Sequence, residues 1–467
     1  MSQFHKINLW GCGYILDVSA LGNVYDLCLS NCNIYDVSAL GNVYILNLSY
    51  CKNVLDVSAL GKVHELMLSY TNVSDVSVLS NVHKLNLNHC KNISDVSALG
   101  NVHDLCLWAC ENIFDVSALG NVYNLNLEET YISDISALGN NHILCLSNCI
   151  NILDVSGLGN VHKLHLGGCI NVLDVSALGN VHELYLNDTK VSDVSALGNV
   201  HVLYFRSLTS ISNVSALGNV NTLILSGCKK ISDISALGNN NILDLSFCDK
   251  ISDVSTLGNV RELCLCACKN IIDVSALSNV HTLVLSKTNI LDVSALGNVY
   301  NLCLSDCNIY DVSALGNVYI LDLSYCKNIL DVSALGNVYI LDLSYCKNIL
   351  DVSALGNVHK LNLSSTNVSD ISALGNVHEL NLSSTNVSDV SALGNINTLS
   401  LFECTNVSDV SALGNVHKLN LNNTNVSDVS ALGNVHQLYL WHCKNITKKH
   451  LDKFKNSSTY NVKELLV

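Results

Sequence analysis

Three residue types recur at fixed spacing along the chain and have side chains capable of chemistry: cysteine, aspartate and histidine. The 21 cysteines could ligate a soft metal or pair as disulfides. Fifteen of them, from Cys12 to Cys443, share one repeated position, where seven other repeats carry threonine and one carries Leu208. Exchange with threonine and leucine marks a small buried residue, which is how free cysteine usually serves a core. The remaining six are Cys28, Cys106, Cys145, Cys264, Cys266 and Cys303. Among them Cys264 and Cys266, followed by Cys268, make a Cys-x-Cys-x-Cys alternation that turns two thiols outward, but no histidine joins it to complete a ligand set. The expectation is scaffold, with no metal and no cofactor.

Aspartate stands at 21 of 22 equivalent anchors between Asp17 and Asp428, with Asn213 as the exception. A column of carboxylates could attract calcium, yet the glycine-rich calcium repeat is absent and asparagine serves a capping role equally well. Setting those 21 aside leaves 18 acidic against 24 basic residues, so the net charge of −15 becomes +6. The acidity belongs to the repeat. Twelve of the 17 histidines, His64 and His83 among them, fall directly after a repeated valine position, and tyrosine fills six of the other slots, such as Tyr25 and Tyr44. Strand spacing would stack this column at about 4.8 Å. It reads first as a partly exposed aromatic ladder. Protonation of stacked imidazoles near pH 6 would force like charges together, so a pH response is the sharper reading.

What positions these columns is a repeat. Asp-Val-Ser-Ala-Leu-Gly-Asn-Val recurs with steps of 19 or 20 residues, giving 23 strand segments when the half-unit before Asp17 is counted. A unit this short cannot bury its own leucines and must stack on its neighbours as one coil of a solenoid. In the coil from Val43, Leu46 and Leu48 alternate with polar neighbours, the period-2 pattern of a strand with one buried face. Val43, Cys51 and Val54 complete the inward set. Asp56 suits an N-cap and Gly61 a left-handed terminating position, so Asp56 to Gly61 is expected to form one 3₁₀-like or α-like turn. The chain has no proline, which leaves its turns to Gly, Asn, Asp and Ser.

Val43 to Val54 resembles the leucine-rich-repeat hallmark Leu-x-x-Leu-x-Leu-x-x-Asn/Cys-x-Leu, and the resemblance covers residues 5–446. The Ser-Asp-Ile-Ser-Ala-Leu element at Ser133 to Leu138 and Ser369 to Leu374 is similar to the internalin and phosphatase-regulator class. The Cys-Lys-Asn-Ile/Val element at Cys51, Cys90 and Cys326 is similar to the cysteine-containing class of ubiquitin-ligase receptors, and long homogeneous arrays of this kind occur among giant-virus and amoebal proteins. The resemblance implies an α/β-type repeat solenoid, a horseshoe or arc of 23 short coils with a parallel concave sheet and a convex side of 3₁₀ turns. Residues 447–467 follow as a C-terminal helical cap, in which Thr447 caps an amphipathic helix with Leu451 and Phe454 on its apolar face. Its lysines, Lys448, Lys449, Lys453, Lys455 and Lys463, are expected to form a solvated face.

A solenoid of this type binds on its concave face, through residues between and just after the two strand leucines. Trp10, Trp108 and Trp441 all fall just after the second leucine, and an exposed tryptophan at such a position is a common interface anchor. The first candidate patch is Trp108 with Tyr50, Tyr70, His89 and Glu128; the second is Tyr185, Tyr204, Arg206 and Phe247. No phosphate-cradling glycine loop, nucleophile elbow or His-Glu-x-x-His motif occurs, so no catalytic residue is expected. The function expected is a protein-binding scaffold, and the alternative is the substrate-recognition subunit of a ubiquitin ligase acting with a separate recruitment chain. Net negative charge without a basic stripe disfavours nucleic acid. The absence of an apolar leader or an 18-residue apolar run predicts no membrane span and a cytoplasmic chain, in the host-cell cytoplasm if viral. Sequons such as Asn72, Asn92, Asn367 and Asn425 then read as by-products of the repeat. The bare edge of the first strand offers a route to edge-to-edge self-association at the N-terminal coil.

Overall fold

The computed structural model describes residues 5–455 and 464–466. The chain divides into two compact units, Met1–Ile231 and Ser232–Val467. Among its described residues the first unit carries twelve three-residue strands, from β1 (Lys6–Asn8) and β2 (Asp26–Cys28) through β3 (Ile45–Asn47), β4 (Glu65–Met67), β5 (Lys84–Asn86), β6 (Asp104–Cys106) and β7 (Asn124–Asn126) to β12 (Thr222–Ile224). The second carries β13 (Ile242–Asp244) to β23 (Gln437–Tyr439), including β17 (Ile320–Asp322) and β18 (Ile340–Asp342). Within each unit neighbouring strands pair in parallel, with first leucine opposite first leucine, as in Leu46↔Leu66 and Leu321↔Leu341.

One coil shows how the sheet face and the turn share a core. Leu46, Leu48, Cys51, Val54, Val57, Leu60 and Val63 are all buried. Complete burial of an aliphatic side chain is worth about 1.5–3 kcal/mol relative to exposure, and only stacking supplies it here. On the other edge Ser58–Leu60 form a 3₁₀ turn.

The turn differs from the sequence expectation in two respects. By its dihedrals the N-cap is Val57, and Asp56 stands one residue earlier, its Oδ1 accepting the Ser58 N–H at 2.8 Å. Asn213 accepts the Ser215 N–H in the same way, so the anchor requires an acceptor and not a charge. Gly61 is right-handed at φ −63° instead of left-handed. Its lack of a side chain matters for packing: a Cβ there would lie 2.5 Å from the carbonyl oxygen of Val78 in the next coil.

The left-handed position lies elsewhere, two residues after the second leucine, and side chains as large as Tyr50, Tyr70, His89 and Phe247 adopt it with φ of 57–64°. Each such residue turns its N–H onto the following coil; Tyr50 donates to Ser69 O at 2.8 Å and His89 to Trp108 O at 2.8 Å.

After the last coil, α1 (Lys448–Lys455) begins where Thr447 Oγ1 accepts the His450 N–H at 3.3 Å. Phe454 is buried, Leu451 half-buried, and Lys448, Lys449 and Lys455 exposed; Lys463 and the side chain of Lys453 lie outside the described residues. A further strand, β24 (Glu464–Leu466), pairs in parallel with β23, an element that the repeat pattern gave no reason to expect.

Candidate functional site

The cysteine column is resolved as core. Cys51 Sγ donates to Leu29 O of the preceding coil at 3.1 Å, and Cys110 and Cys169 do the same to Leu87 and Leu146. Threonine in the same slot donates instead to its own coil, Thr71 Oγ1 to Leu68 O at 2.7 Å, and Cys90 Sγ shares that oxygen at 3.0 Å. Both residues thus satisfy a buried donor on the same ladder of carbonyls, which is why they interchange. Burial pushes the thiol of Cys51 up to about 11 and those of Cys110 and Cys169 to about 12, leaving them protonated and unreactive at neutral pH. Cys268 donates to Leu245 O, and Cys264 lies 3.0 Å from Ser246 Oγ. Among the described residues no group of three or more His, Cys, Asp or Glu side chains is placed to hold a metal ion.

The histidine and tyrosine column forms a run of stacked rings in the first unit from His5 through Tyr25, Tyr44, His64, His83, His103, Tyr123, His142, His162 and His182 to His201, with centroids 4.4–4.7 Å apart. His5 joins this row although no repeated valine precedes it. Within the four consecutive imidazoles, burial first and then the neighbouring His142 and His182 hold His162 below the usual histidine range.

Four residues of the first candidate patch come together as a second aromatic row. Tyr50 and Tyr70 stack at 4.6 Å, Tyr70 and His89 at 4.2 Å, and Trp108 meets His89 edge to face at 4.6 Å and 71°. The row changes column at its end. Tyr50, Tyr70 and His89 occupy the left-handed position, whereas Trp108 sits one residue earlier in its coil, with Ala109 taking the left-handed slot. Trp108 is therefore half-buried, unlike Trp10 and Trp441, which are 67% and 61% exposed; the expectation of a fully outward tryptophan at 108 is corrected by its packing on His89. At this crossing Asn88 Oδ1, His89 Nε2 and Trp108 Nε1 are shielded from water and have no hydrogen-bond partner among the described residues. An unpaired buried polar atom costs about 1–3 kcal/mol, and the same condition recurs at Asn141 Oδ1 and Asn187 Oδ1 in other coils. Glu128, on the next coil in the column of Trp108, binds the strand end through its N–H to Asn126 Oδ1 at 2.9 Å. Burial, and then Glu129, raise its carboxyl above the usual range.

Beside this row the open face of β4 to β7 forms a hollow of about 320 Å³ whose rim carries Glu65, Lys84 and Asp104 and whose floor includes Met67, Asn86 and Cys106. These residues were not singled out in the sequence. Their only signal is that they vary from coil to coil at positions flanking an invariant leucine.

The second candidate patch is only partly assembled. Tyr185 stacks on Tyr204 at 4.6 Å and on His165, which the sequence reading missed, at 4.1 Å. Lys163 Nζ lies 5.4 Å from the Tyr185 ring centroid and 3.0 Å from Glu183. Arg206 is exposed. Phe247, 53% exposed, belongs to the second unit and to the left-handed column, so column position separates it from Tyr185 and Tyr204.

No protein-family model matches the chain, and no curated protein does. Solved structures do. The complex of TLR13 with ssRNA13 is similar over 96% of this chain and 85% of that one, at 19% identity and a TM-score of 0.58. The functional domain of InlJ from Listeria monocytogenes, described as including a cysteine ladder, is 19% identical over 77% of this chain and 72% of that one, with a TM-score of 0.35. The plant peptide hormone receptor RGFR1 in complex with RGF2 is 15% identical over 95% of this chain and 89% of that one, with a TM-score of 0.40. At such identities the likeness is one of fold.

Proposed function

We propose that this leucine-rich-repeat protein is a protein-binding scaffold that takes a partner segment on the open sheet face of its first unit, along Tyr50, Tyr70, His89 and Trp108. The observation that carries the reading is the aromatic row, which leaves its column at Trp108 beside a hollow of about 320 Å³. The stacked rings supply apolar contact to such a segment. The neighbouring hollow, rimmed by Glu65, Lys84 and Asp104, offers charges of both signs to flanking side chains. RNA is the ligand in the TLR13 structure, but a net charge of −15 and two carboxylates on that rim favour a protein here.

The Cys-type coils that suggested a ubiquitin-ligase receptor owe their thiols to the core, so they lend that reading no weight. A reducing, cytoplasmic setting is part of the proposal. It is supported by the cysteines, none of which forms a disulfide among the described residues, and by the sequons, where Asn72 Nδ2 donates to Lys52 O at 2.8 Å and Asn425 Nδ2 to Thr405 O at 2.6 Å. The nitrogen that a glycan would occupy is already part of the ladder.

The test is affinity capture with wild type, Trp108→Ala and Tyr345→Ala, followed by titration of the recovered partner. Loss of the partner with Trp108→Ala alone is expected; a partner retained by Trp108→Ala refutes the placement.

A further inference from the structure

A different edge of the second unit carries a feature that the sheet face does not use. The residue directly before the anchor aspartate is serine at Ser252 and again at Ser369, Ser388, Ser408 and Ser427. In the five coils between, it is Ile272, Leu291, Tyr310, Leu330 and Leu350, each 60–71% exposed. On the sheet face successive coils lie about 4.7 Å apart, as the stacked rings of Tyr319 and Tyr339 show, and at that spacing the five make one apolar stripe about 19 Å long. Large apolar residues aligned in this way on a surface mark an interaction site.

The flanks of the stripe state what kind of partner it fits. On one side run Asp273, Asp292, Asp311, Asp331 and Asp351, each accepting through Oδ1 the serine N–H two residues on. On the other side the amides of Asn270, Asn289, Asn328 and Asn348 are spent on carbonyls of the preceding coil, and Lys269, Lys327 and Lys347 stand beyond them. Between coils the stripe dips into hollows walled by one or two apolar side chains and two carboxylates. Tyr310, Leu330, Asp311 and Asp331 line one of about 320 Å³, and Leu350, Asp351 and Asp370 line another of about 330 Å³. Such a hollow suits a lysine or arginine, whose methylenes lie on the apolar wall while the charge sits between the acids.

From this juxtaposition we infer that the stripe from Ile272 to Leu350 docks an amphipathic helix of a partner protein, apolar on its contact face and basic along the flank that meets the aspartates. Periodicity selects the helix. One helical turn rises about 5.4 Å, close to the coil spacing, whereas same-side residues of an extended strand recur every 6.6 Å or so and drift out of step within two coils. A second copy of the chain docked stripe to stripe would bring two aspartate columns together, and an anionic membrane meets the same repulsion. This surface is independent of the row that ends at Trp108.

The experiment uses the full chain and a fluorescent 18-residue peptide with leucines at i, i+3, i+4 and i+7 and lysines along one flank. Its control has glutamate at every lysine. Anisotropy titrations are expected to show the lysine peptide binding at least tenfold more tightly than the glutamate peptide. The triple variant Tyr310→Ser, Leu330→Ser, Leu350→Ser should weaken it at least tenfold, with an unchanged circular dichroism spectrum because serine is the native occupant of this position in neighbouring coils. Equal binding of the two peptides, or undiminished binding by the triple variant, would overturn the inference. So would sedimentation showing a dimer that the triple variant abolishes, or preferential binding of the chain to phosphatidylserine vesicles over neutral ones.

Discussion

The coils around Tyr50 and Tyr70 and the coils around Tyr325 and Tyr345 start from the same arrangement and end in different places. In both, tyrosines in the left-handed position stack on the open face, at 4.6 Å in the first pair and 4.3 Å in the second. Residues 311–330 and 331–350 are identical, so on the second pair every surface feature simply occurs twice, with Ile320 and Asp322 repeated as Ile340 and Asp342. Around Tyr50 the flanking residues change at every coil, from Ile45 to Glu65, Lys84, Asp104 and Asn124, and the ring row leaves its column at Trp108. Stacked rings are thus what the repeat produces wherever it places aromatics. Distinctness on the open face arises where neighbouring coils differ, as at the step of the ring row onto Trp108 and at the hollow beside it.

The largest effect that would break this comparison is on binding. Trp108→Ala should weaken the captured partner at least thirtyfold, about 2 kcal/mol, while Tyr345→Ala stays within about twofold in calorimetric titration. Equal losses would make the two regions equivalent. Next comes a change that must act alike in both, because it belongs to the scaffold. A Cβ at Gly61 or Gly336 would lie 2.5 and 2.4 Å from a backbone oxygen of the next coil. Each Gly→Ala variant should therefore cost about 1.5 kcal/mol in denaturant unfolding, and a neutral result at either position would refute the packing role given to glycine. Cys51→Thr and Cys326→Thr should each cost less than about 1 kcal/mol, since threonine meets the same ladder of carbonyls; a larger loss would show that the thiol is needed for more than filling its slot.

The smallest effect concerns pH. The folded state holds His162 below its ordinary value through burial and the adjacent imidazoles, so the unfolded chain takes up its proton first. Its contribution to stability is complete above the unfolded value of about 6.5 and declines as pH falls below it. Thermal midpoints should fall by no more than about a degree between pH 7.5 and 5.5, less in His162→Tyr. A midpoint that rises on acidification would contradict the stacking account.

The period of 19 or 20 residues made the coil, its inward columns and the aromatic ladder legible, because each is a property of a column and columns survive alignment of the chain with itself. Tyr50, Tyr70, His89 and Trp108 could be grouped for the same reason, since adjacency in the repeat is adjacency in space. Two features were hidden. The left-handed position is filled by Tyr, His, Asn, Ser, Asp, Lys and Glu far more often than by Gly, so residue type does not announce it, while the regular glycine that suggested it serves close packing. Glu65, Lys84 and Asp104 were invisible as a site because single polar residues beside a strand leucine resemble ordinary solvated surface until the coils are stacked.

The most direct test replaces Tyr70 and Tyr345, in separate full-length chains, with the photoreactive residue benzoylphenylalanine and irradiates each with the captured partner. The same partner should cross-link through position 70 and leave position 345 unlabelled. Cross-linking through 345 with none at 70 would place the binding surface elsewhere and contradict the central claim.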